Sequence, residues 1–263
     1  MAGSIERVMT ADDHVLARDL AEEAGRLLLE LRARGGDPDV LRKAGDRLSH
    51  EFLVAELNAQ RPHDAVLSEE GIDDKARLSA DRVWIVDPLD GTREFGEEGR
   101  SDWAVHVALW ERANGGLTAG AVALPAQGTV LSTANPPKGP ANEAREPDKP
   151  LKLVVSRSRA PQLVYAVASI TDAVLVPCGS AGAKVATVIT GQTDAYLHAG
   201  GFYEWDTAAP VAVAADAGYH VSRIDGGPVR YNQEDPLLPD ILVCRPAIAP
   251  VLLNAIREAT HAI

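Results

Sequence analysis

The spacing of hydrophobic residues separates predicted helices from predicted strands along the first half of the chain. Apolar residues recur at intervals of three and four over 15–31, which predicts a helix that opens after a capping segment at 10–13 and ends at Gly35-Gly36. A second amphipathic helix is predicted over 48–57. Asp46 then falls near the start of this helix, where it is either a helix cap or a member of a functional site.

Short apolar runs predict the strands of the same half. The run at 83–86 has no polar alternation, which is typical of a strand covered on both faces, and Pro88 is expected to end it because proline has no N–H for a sheet ladder. The segment Asn114-Gly115-Gly116 is a hairpin turn signal. Further strands are predicted at 65–67, 103–110, 118–124 and 128–133.

The composition changes at 135–150 to proline, glycine and charged residues, which is typical of a linker or surface loop. We therefore expect an N-terminal α/β lobe over 1–134 and a C-terminal α/β lobe over 151–263. Strands and helices alternate again in the second lobe. The predicted strands lie at 151–155, 174–176, 194–198 and 241–244, and the helices open at Pro161, after Ser180, near Asp206 and around Val251.

Composition and charge limit the classes of partner. The chain has 263 residues, of which 46% are hydrophobic, so it can bury a sizeable core. A formal net charge of −12 argues against binding to a nucleic-acid polymer, which requires clustered lysine and arginine. Cys178 and Cys244 are predicted to be reduced structural thiols. Without a signal-like or membrane-spanning run, we expect a cytoplasmic protein that does not bind membranes.

Four acidic residues follow predicted strands or begin a predicted helix: Glu69, Asp87, Asp90 and Asp206. Each one taken alone suits a cap, a turn or a solvated face. If the four meet in one cleft, their mutual repulsion makes sense only around divalent cations, and oxygen ligands favour Mg2+ or Mn2+ over zinc. His106, inside the predicted hairpin, is expected to be a packed or surface histidine and not a metal ligand.

Three segments carry a resemblance to a known family. Ser-Glu-Glu at 68–70, Asp-Pro-Leu-Asp-Gly-Thr at 87–92 and Trp-Asp-Thr-Ala-Ala at 205–209 are similar in order and spacing to the motifs of the inositol monophosphatase superfamily. This resemblance implies Mg2+-dependent, lithium-sensitive phosphomonoesterases with an αβαβα layered sandwich, two lobes and the active site between them. It also implies a homodimer, with Mn2+ as a substitute cation and Li+ as an inhibitor.

The resemblance also implies roles for individual residues. Glu69, Asp87 and the Leu89 carbonyl would bind one metal, Asp87, Asp90 and Asp206 a second, and Glu69 would help to hold a third. Gly91 and Thr92 would offer backbone N–H groups to the phosphate, and the Thr92 hydroxyl with Asp46 would orient the attacking water. The water would attack phosphorus directly, with no covalent intermediate.

The segments 154–159 and 179–184 are similar to the CysQ-type branch, which hydrolyses 3′-phosphoadenosine 5′-phosphate (PAP) to AMP and is linked to sulfate assimilation. Side chains in these segments would bind the second phosphate of that substrate. The residues assigned to it are Ser156, Arg157, Ser158, Ser180 and Lys184. The arginine-rich loop is also typical of a solvated surface, and Arg159 in particular has both interpretations.

Three features depart from the family pattern. Gly45 precedes Asp46 where the family more often has alanine or threonine, and Pro210 predicts that the helix after Asp206 begins irregularly or later. The segment 199–201 lacks the acid that inositol-specific members use, although Glu204 is nearby. Inositol 1-phosphate and fructose 1,6-bisphosphate are therefore alternative substrates, and a non-catalytic nucleotide or metal sensor is the alternative from another class.

Overall fold

In the computed structural model, which describes residues 12–141, 143, 149–158 and 160–262, each half of the chain builds one five-stranded sheet. The first has the order β1-β2-β3-β4-β5 and contains β1 (Ala65–Ser68), β2 (Arg82–Asp90), β3 (Ala104–Glu111), β4 (Gly116–Leu124) and β5 (Thr129–Ser132). The second has the order β7-β6-β8-β10-β9 and contains β6 (Lys152–Ser156), β7 (Val174–Cys178), β8 (Ala195–Tyr203), β9 (His220–Ser222) and β10 (Leu237–Cys244). The first sheet is antiparallel except where β1 pairs with β2, and the second is mixed.

The helices form three layers around the sheets. The outer face of the first sheet is covered by α1 (Asp13–Ala33) and α2 (Pro38–Gln60), and the short α3 (Thr92–Gly96) follows β2. The outer face of the second sheet is covered by α4 (Gln162–Thr171) and α7 (Ala249–Ala262). Between the sheets lie α5 (Ala181–Ile189) and α6 (Glu204–Asp216). This arrangement confirms the predicted αβαβα layered sandwich.

Three apolar clusters fill the spaces between these layers. Two of them lie under the outer helices, one on each sheet. The third lies around α5 and α6 and joins both halves, with Ile85 and Val122 from the first sheet packed in the same cluster as Val154 and Ile241 from the second. The division into lobes at 135–150 stays a prediction. The central cluster nonetheless fixes the two sheets against each other, and the acidic motifs lie along this junction.

The prediction that Pro88 ends a strand is wrong, because β2 continues to Asp90. The strand tolerates proline because its register against β3 shifts between Asp87 and Asp90, as in a β-bulge. On its other side, β1 pairs only as far as Val86. Pro88 therefore lies where neither neighbour needs an N–H donor. The shift also lets Asp87 and Asp90 lie close together at the end of the strand.

Two predicted helix starts are also wrong. Asp37 caps α2, its carboxylate accepting the N–H groups of Asp39 and Val40, so Asp46 lies inside the helix and is not a cap. Proline at the first position of α2 has the fixed φ that a helix start needs. Helix α6 starts before Asp206 and not at or after it, with Pro210 in its interior.

Some elements were not predicted from the hydrophobic pattern. Strand β9 and helix α3 are three and five residues long, too short to show a period. At the N-terminus, Thr10 and Ala11 lie outside the described residues, whereas Asp12 caps α1 by accepting the N–H of His14. Among the described helices, none has both the length and the apolar character needed to cross a bilayer.

Candidate active site

Asp87 and Asp90, at the end of β2, are both almost completely buried, with 1% and 8% of their surfaces exposed. Asp87 accepts the N–H of Leu89 at 3.0 Å, as an aspartate does when a chain turns directly after it. Asp90 Oδ2 accepts hydrogen bonds from the Ser180 hydroxyl at 2.5 Å and from the Gly182 N–H at 2.7 Å. The start of α5, in the second half of the chain, therefore contacts the Asp-Pro-Leu-Asp-Gly-Thr motif of the first half directly.

Glu69 and Asp206 complete the acidic group. Burial and then the charge of Asp90 raise the pKa of Asp206 to about 7. Glu69 as a whole residue is exposed, but desolvation of its carboxyl group and the charge of Asp90 raise its pKa to about 7 as well. Burial, followed by the charges of Glu69, Asp90 and Asp206, raises the pKa of Asp87 well above its ordinary value. Asp87 is therefore close enough to the three other acids for the charge of each to act on it.

The acidic group fits a divalent cation. Within the described stretches, no lysine or arginine forms an ion pair with Glu69, Asp87, Asp90 or Asp206, and the nearby Lys184 ammonium offsets only part of their negative charge. Carboxylate and carbonyl oxygens are the ligands that Mg2+ and Mn2+ prefer. The Leu89 carbonyl accepts the Thr92 hydroxyl at 3.0 Å, and its second lone pair remains for a cation. The residues therefore match a divalent metal site.

The raised pKa values predict how the stability of the metal-free protein, in EDTA, changes with pH. Glu69 and Asp206 have folded-state pKa values of about 7, above those of the unfolded chain, so their contribution to stability is present below pH 4 and is lost as the pH rises through 7. Saturating Mg2+ is expected to raise the melting temperature by about 5–10 °C at pH 8 and by clearly less at pH 5.5. Thermal unfolding with Mg2+ and with EDTA at both pH values measures this. An equal shift at the two pH values would contradict it.

Asp46 and Thr92 lie beside this group and face each other. The Thr92 hydroxyl is 3.2 Å from Asp46 Oδ1, and burial and the charge of Glu70 raise the pKa of Asp46 to about 6. Gly45 allows α2 to bring Asp46 close to Thr92, because a Cβ on Gly45 would lie within 3.0 Å of the side chains of Leu89 and Phe95. The glycine that departs from the family pattern lets α2 pack closely on the motif.

Gly91 also depends on having no side chain. Its φ of +85° is left-handed, and a Cβ there would lie 3.1 Å from the Ser180 Cβ and 3.2 Å from the carbonyl oxygen of Asp102. From this glycine the chain enters α3, so the first N–H groups of that helix start beside the acids.

The predicted substrate-binding side chains divide into two groups. Ser156, Arg157 and Ser158 lie at the rim of the cleft, and the Arg157 guanidinium forms ion pairs with Glu94 at 2.7 Å and Glu97 at 2.9 Å. Arg159 lies outside the described residues.

Ser180 and Lys184 lie deeper in the cleft and hold its wall. Ser180 caps α5, accepting the N–H of Ala183 while it donates to Asp90. The Lys184 ammonium donates to the carbonyls of Gly179 and Ser180 at 2.9 and 2.7 Å, and burial lowers its pKa. Both side chains are thus already hydrogen-bonded within the protein.

A cleft of about 470 Å³ opens beside the acids. It is lined by residues 90–94, 156–158, 179–181 and 198–202, with Pro161, Lys184, Tyr196 and Asp206. Most of this lining comes from the second half of the chain, whereas most of the acids come from the first. Glu204, left open as a substrate ligand, is only 1% exposed and accepts the N–H groups of Asn232 and Gln233, so it anchors a loop away from the cleft.

Sequence reasoning predicted His106 to be a packed or surface histidine without a role in the site, and did not name Tyr196. His106 is fully buried, and atoms of Asp87, Asp90 and His106 able to bind a metal lie within 4.8 Å of one another, a grouping seen nowhere else in the described part of the chain. Burial lowers the pKa of His106, and the charge of Asp90 opposes that effect. Tyr196 lines the cleft with a hydroxyl that has no hydrogen-bond partner among the described residues. Strand alternation places position 106 with Ala104 and Ala108 on the side of β3 that faces the central cluster, which is the signal that could have found it.

The chain is similar in sequence and in structure to several known proteins. Residues 17–261 match the inositol monophosphatase family. The chain is 51% identical over 255 residues to the 3′-phosphoadenosine 5′-phosphate phosphatase of Mycobacterium leprae, covering 94% of each sequence. The structure of CysQ from Bacteroides thetaiotaomicron superposes with a TM-score of 0.73 at 27% identity, over 90% of this chain and 98% of that one. Inositol monophosphatase II from Staphylococcus aureus has a TM-score of 0.79 at 21% identity, over 94% and 96%, and shows the shared fold.

Proposed function

The chain belongs to the inositol monophosphatase family, and from this premise we propose that it hydrolyses 3′-phosphoadenosine 5′-phosphate to AMP and phosphate. The observation that carries the proposal is the convergence of Glu69, Asp87, Asp90 and Asp206 beside a cleft that is large enough for a nucleotide. The 51% identity to a relative named for this activity, over 94% of both chains, supports the choice of substrate. The protein is a phosphatase, and the names of its relatives from Mycobacterium leprae and Escherichia coli both specify a bisphosphate nucleotide.

The acids would hold the divalent cations in two sets. Glu69, Asp87 and the Leu89 carbonyl form one, Asp87, Asp90 and Asp206 the other, and the shared Asp87 is the most deeply buried of the four. Bound Mg2+ would neutralise phosphoryl charge and lower the pKa of water. Support for Mg2+ comes from the donor set of the site and from the family. A third cation at Glu69, replacement by Mn2+ and inhibition by Li+ stay predictions.

Asp46 and Thr92 are proposed to position the attacking water. The Thr92 hydroxyl can accept a hydrogen from the water while Asp46 accepts its proton, since the two side chains are 3.2 Å apart. A carboxyl pKa of about 6 suits a base that works near neutral pH. The water oxygen bonds to phosphorus, the bond from phosphorus to the 3′ oxygen breaks, and the leaving oxygen takes a proton from solvent.

The remaining phosphate of the nucleotide is proposed to lie near the rim of the cleft. Gly91 and Thr92 would offer N–H groups to the 3′-phosphate, and Ser156, Arg157 and Ser158 would face the 5′-phosphate. For Arg157 to bind it, the phosphate must share the guanidinium with Glu94 or Glu97. Ser180 and Lys184 support the wall between the two phosphate positions through the bonds described above.

Phosphate release from a panel of phosphomonoesters tests the substrate assignment. We expect kcat/KM for 3′-phosphoadenosine 5′-phosphate to exceed that for inositol 1-phosphate by at least about 100-fold, because a site built for a second charged group leaves buried polar atoms unpaired with an analogue that lacks it. It should also exceed that for fructose 1,6-bisphosphate, which has a second phosphate but no nucleoside. Each rate is measured at saturating Mg2+. If 3′-phosphoadenosine 5′-phosphate were the slowest substrate, the assignment would be wrong, and absence of turnover with every ester would favour a sensor.

Other assignments made from the sequence stay predictions. A homodimer is expected from the family, and the cytoplasmic location stays an expectation from the sequence. Cys178 and Cys244 are free thiols in the structure, in agreement with the prediction that they form no disulfide. A polymeric nucleic acid or a membrane as partner is not expected.

A further inference from the structure

Glu94 is a buried acid in the wall of the cleft, where the second phosphate of the substrate is proposed to bind. It belongs to the short helix α3, it lines the cleft, and its side chain is only 8% exposed. Its carboxylate accepts a hydrogen bond from the Arg157 guanidinium, with 2.7 Å between Oε1 and Nη2. Arg157 follows β6 in the other half of the chain. An acid of the first half therefore already occupies a cation that the proposed function assigns to the substrate.

The segment before α5 packs directly against the Glu94 side chain. A Cβ on Gly179 would lie 2.5 Å from Glu94 Cγ and 2.6 Å from Cδ, so the glycine leaves the space that the acid fills. The Lys184 ammonium donates to the carbonyl of the same glycine at 2.9 Å. Burial lowers the pKa of Lys184, and Glu94 is among the groups whose charges oppose that effect. The Glu94 carboxylate thus acts on both cations that were assigned to the second phosphate, Arg157 and Lys184.

Arg157 has a second acid that can hold it at the rim without Glu94. Glu97 accepts from the same nitrogen, Nη2, at 2.9 Å, but its side chain is 34% exposed and lies outside the cleft lining. Glu97 also pairs with Arg93 at 3.6 Å, whereas Arg157 is the only cation paired with Glu94 in the part of the chain that the structure describes. A phosphate that draws the guanidinium away from Glu94 would leave a buried carboxylate without its counterion beside a new negative charge, which opposes binding.

We propose that Glu94 is a specificity-determining residue that competes with the second phosphate of the nucleotide for Arg157, and so limits the affinity for both the bisphosphate and the AMP product. The inference rests on the proposed function, because it requires a nucleotide whose 5′-phosphate lies at the rim. Adenosine 3′-monophosphate has the same scissile ester but no 5′-phosphate, so its binding leaves the pair of Glu94 and Arg157 intact. The competition therefore acts on the bisphosphate and on AMP, and not on this analogue.

Kinetics of Glu94→Gln with both substrates, and calorimetry of AMP binding at saturating Mg2+, test the proposal on the whole chain. Glutamine keeps the length of the side chain and its packing against Gly179 but carries no charge. The KM for 3′-phosphoadenosine 5′-phosphate and the dissociation constant of AMP should each fall by about 5- to 10-fold, the range expected for a charged hydrogen bond at a partly exposed arginine. The KM for adenosine 3′-monophosphate should change by less than about 2-fold, because no contact to that substrate is altered.

Glu97→Gln is the matched control, because it removes the other acid on the same nitrogen of Arg157. Solvent screens this exposed charge, so KM and AMP affinity should change by less than about 2-fold. Glu94→Met, of similar length, replaces Glu94→Gln if that variant does not fold.

Three results would overturn the proposal. An unchanged or raised KM for the bisphosphate in the folded Glu94 variant would show that the acid does not compete or that it orients Arg157. An equal fall in Glu97→Gln would show that only the total charge of the rim matters, and an equal fall for adenosine 3′-monophosphate would show that the second phosphate is not involved. If the unmodified chain hydrolyses the bisphosphate, these results refute only the role of Glu94. An unmodified chain without that turnover would refute the proposed function instead.

Discussion

An Asp90→Asn variant is expected to lose at least about 1,000-fold in kcat while it folds normally. A metal that stabilises phosphoryl charge is worth several kcal/mol, and each 1.4 kcal/mol corresponds to a factor of ten in rate. The asparagine carbonyl can still accept the Ser180 hydroxyl and the Gly182 N–H, so the contact with α5 survives. One negative charge beside Asp87 is removed, so the melting temperature in EDTA should be unchanged or higher. Stopped assays of phosphate release and thermal unfolding measure the two effects.

Asp240→Asn separates this effect from the loss of any buried aspartate. Asp240 is 7% exposed and pairs with Arg223 at 2.6 Å on β10, in the second sheet and outside the residues that line the cleft. We expect Asp240→Asn to lower the free energy of unfolding by about 1–3 kcal/mol and to leave kcat nearly unchanged. If Asp90→Asn kept full activity, or if Asp240→Asn lost as much, Asp90 would not be a metal ligand.

The Thr92→Val and Asp46→Asn variants are each expected to lose about 100- to 10,000-fold in kcat with little change in Mg2+ affinity. Proton transfer and orientation by a positioned side chain contribute this range, and neither residue is assigned to a metal. The hydroxyl of Thr92 and the carboxylate of Asp46 are 3.2 Å apart and act on the same water in the proposed mechanism. The double variant should therefore be little slower than the slower single variant.

The two kinds of readout distinguish water positioning from metal binding. The Mg2+ concentration that gives half-maximal activity should rise in Asp90→Asn. It should stay unchanged in Thr92→Val and Asp46→Asn. Thr171→Val, which removes a hydroxyl on the outer helix α4 that donates to Val167, is the matched threonine control and should keep full kcat. Multiplicative losses in the double variant would show that Thr92 and Asp46 act independently, contrary to the proposed arrangement.

Much of the fold could be predicted because its elements have strong periodic patterns or clear end signals. The helix at 15–31 and the helix capped by Ser180 are found where predicted, as both have an apolar face and a defined start. Pro88 and Asp46 show the limit. A bulge let proline stay inside β2. The first eight residues of α2, 38–45, are mostly polar or exposed, so the hydrophobic pattern did not reveal that the helix begins before Asp46. Such tertiary compensation is not visible in local sequence.

Residues of the candidate site could be predicted where they belong to a sequence motif. Residues that only tertiary contacts bring to the site could not. Glu69, Asp87, Asp90 and Asp206 could be named because of their motifs, and the structure brings them together. His106 could not, because its place beside the acids depends on the pairing of β3 with β2 and on the approach of α5 and α6. The ion pairs of Arg157 join residues about 60 positions apart, which no spacing rule reveals.

The rate of phosphate release from 3′-phosphoadenosine 5′-phosphate, measured for the unmodified chain as Mg2+ is titrated from EDTA to saturation, tests the central claim most directly. The proposed function predicts stoichiometric AMP and phosphate at a rate that rises with Mg2+ and falls to background on chelation. Turnover of the nucleotide that persisted at full rate in EDTA, or its complete absence at saturating Mg2+, would contradict it.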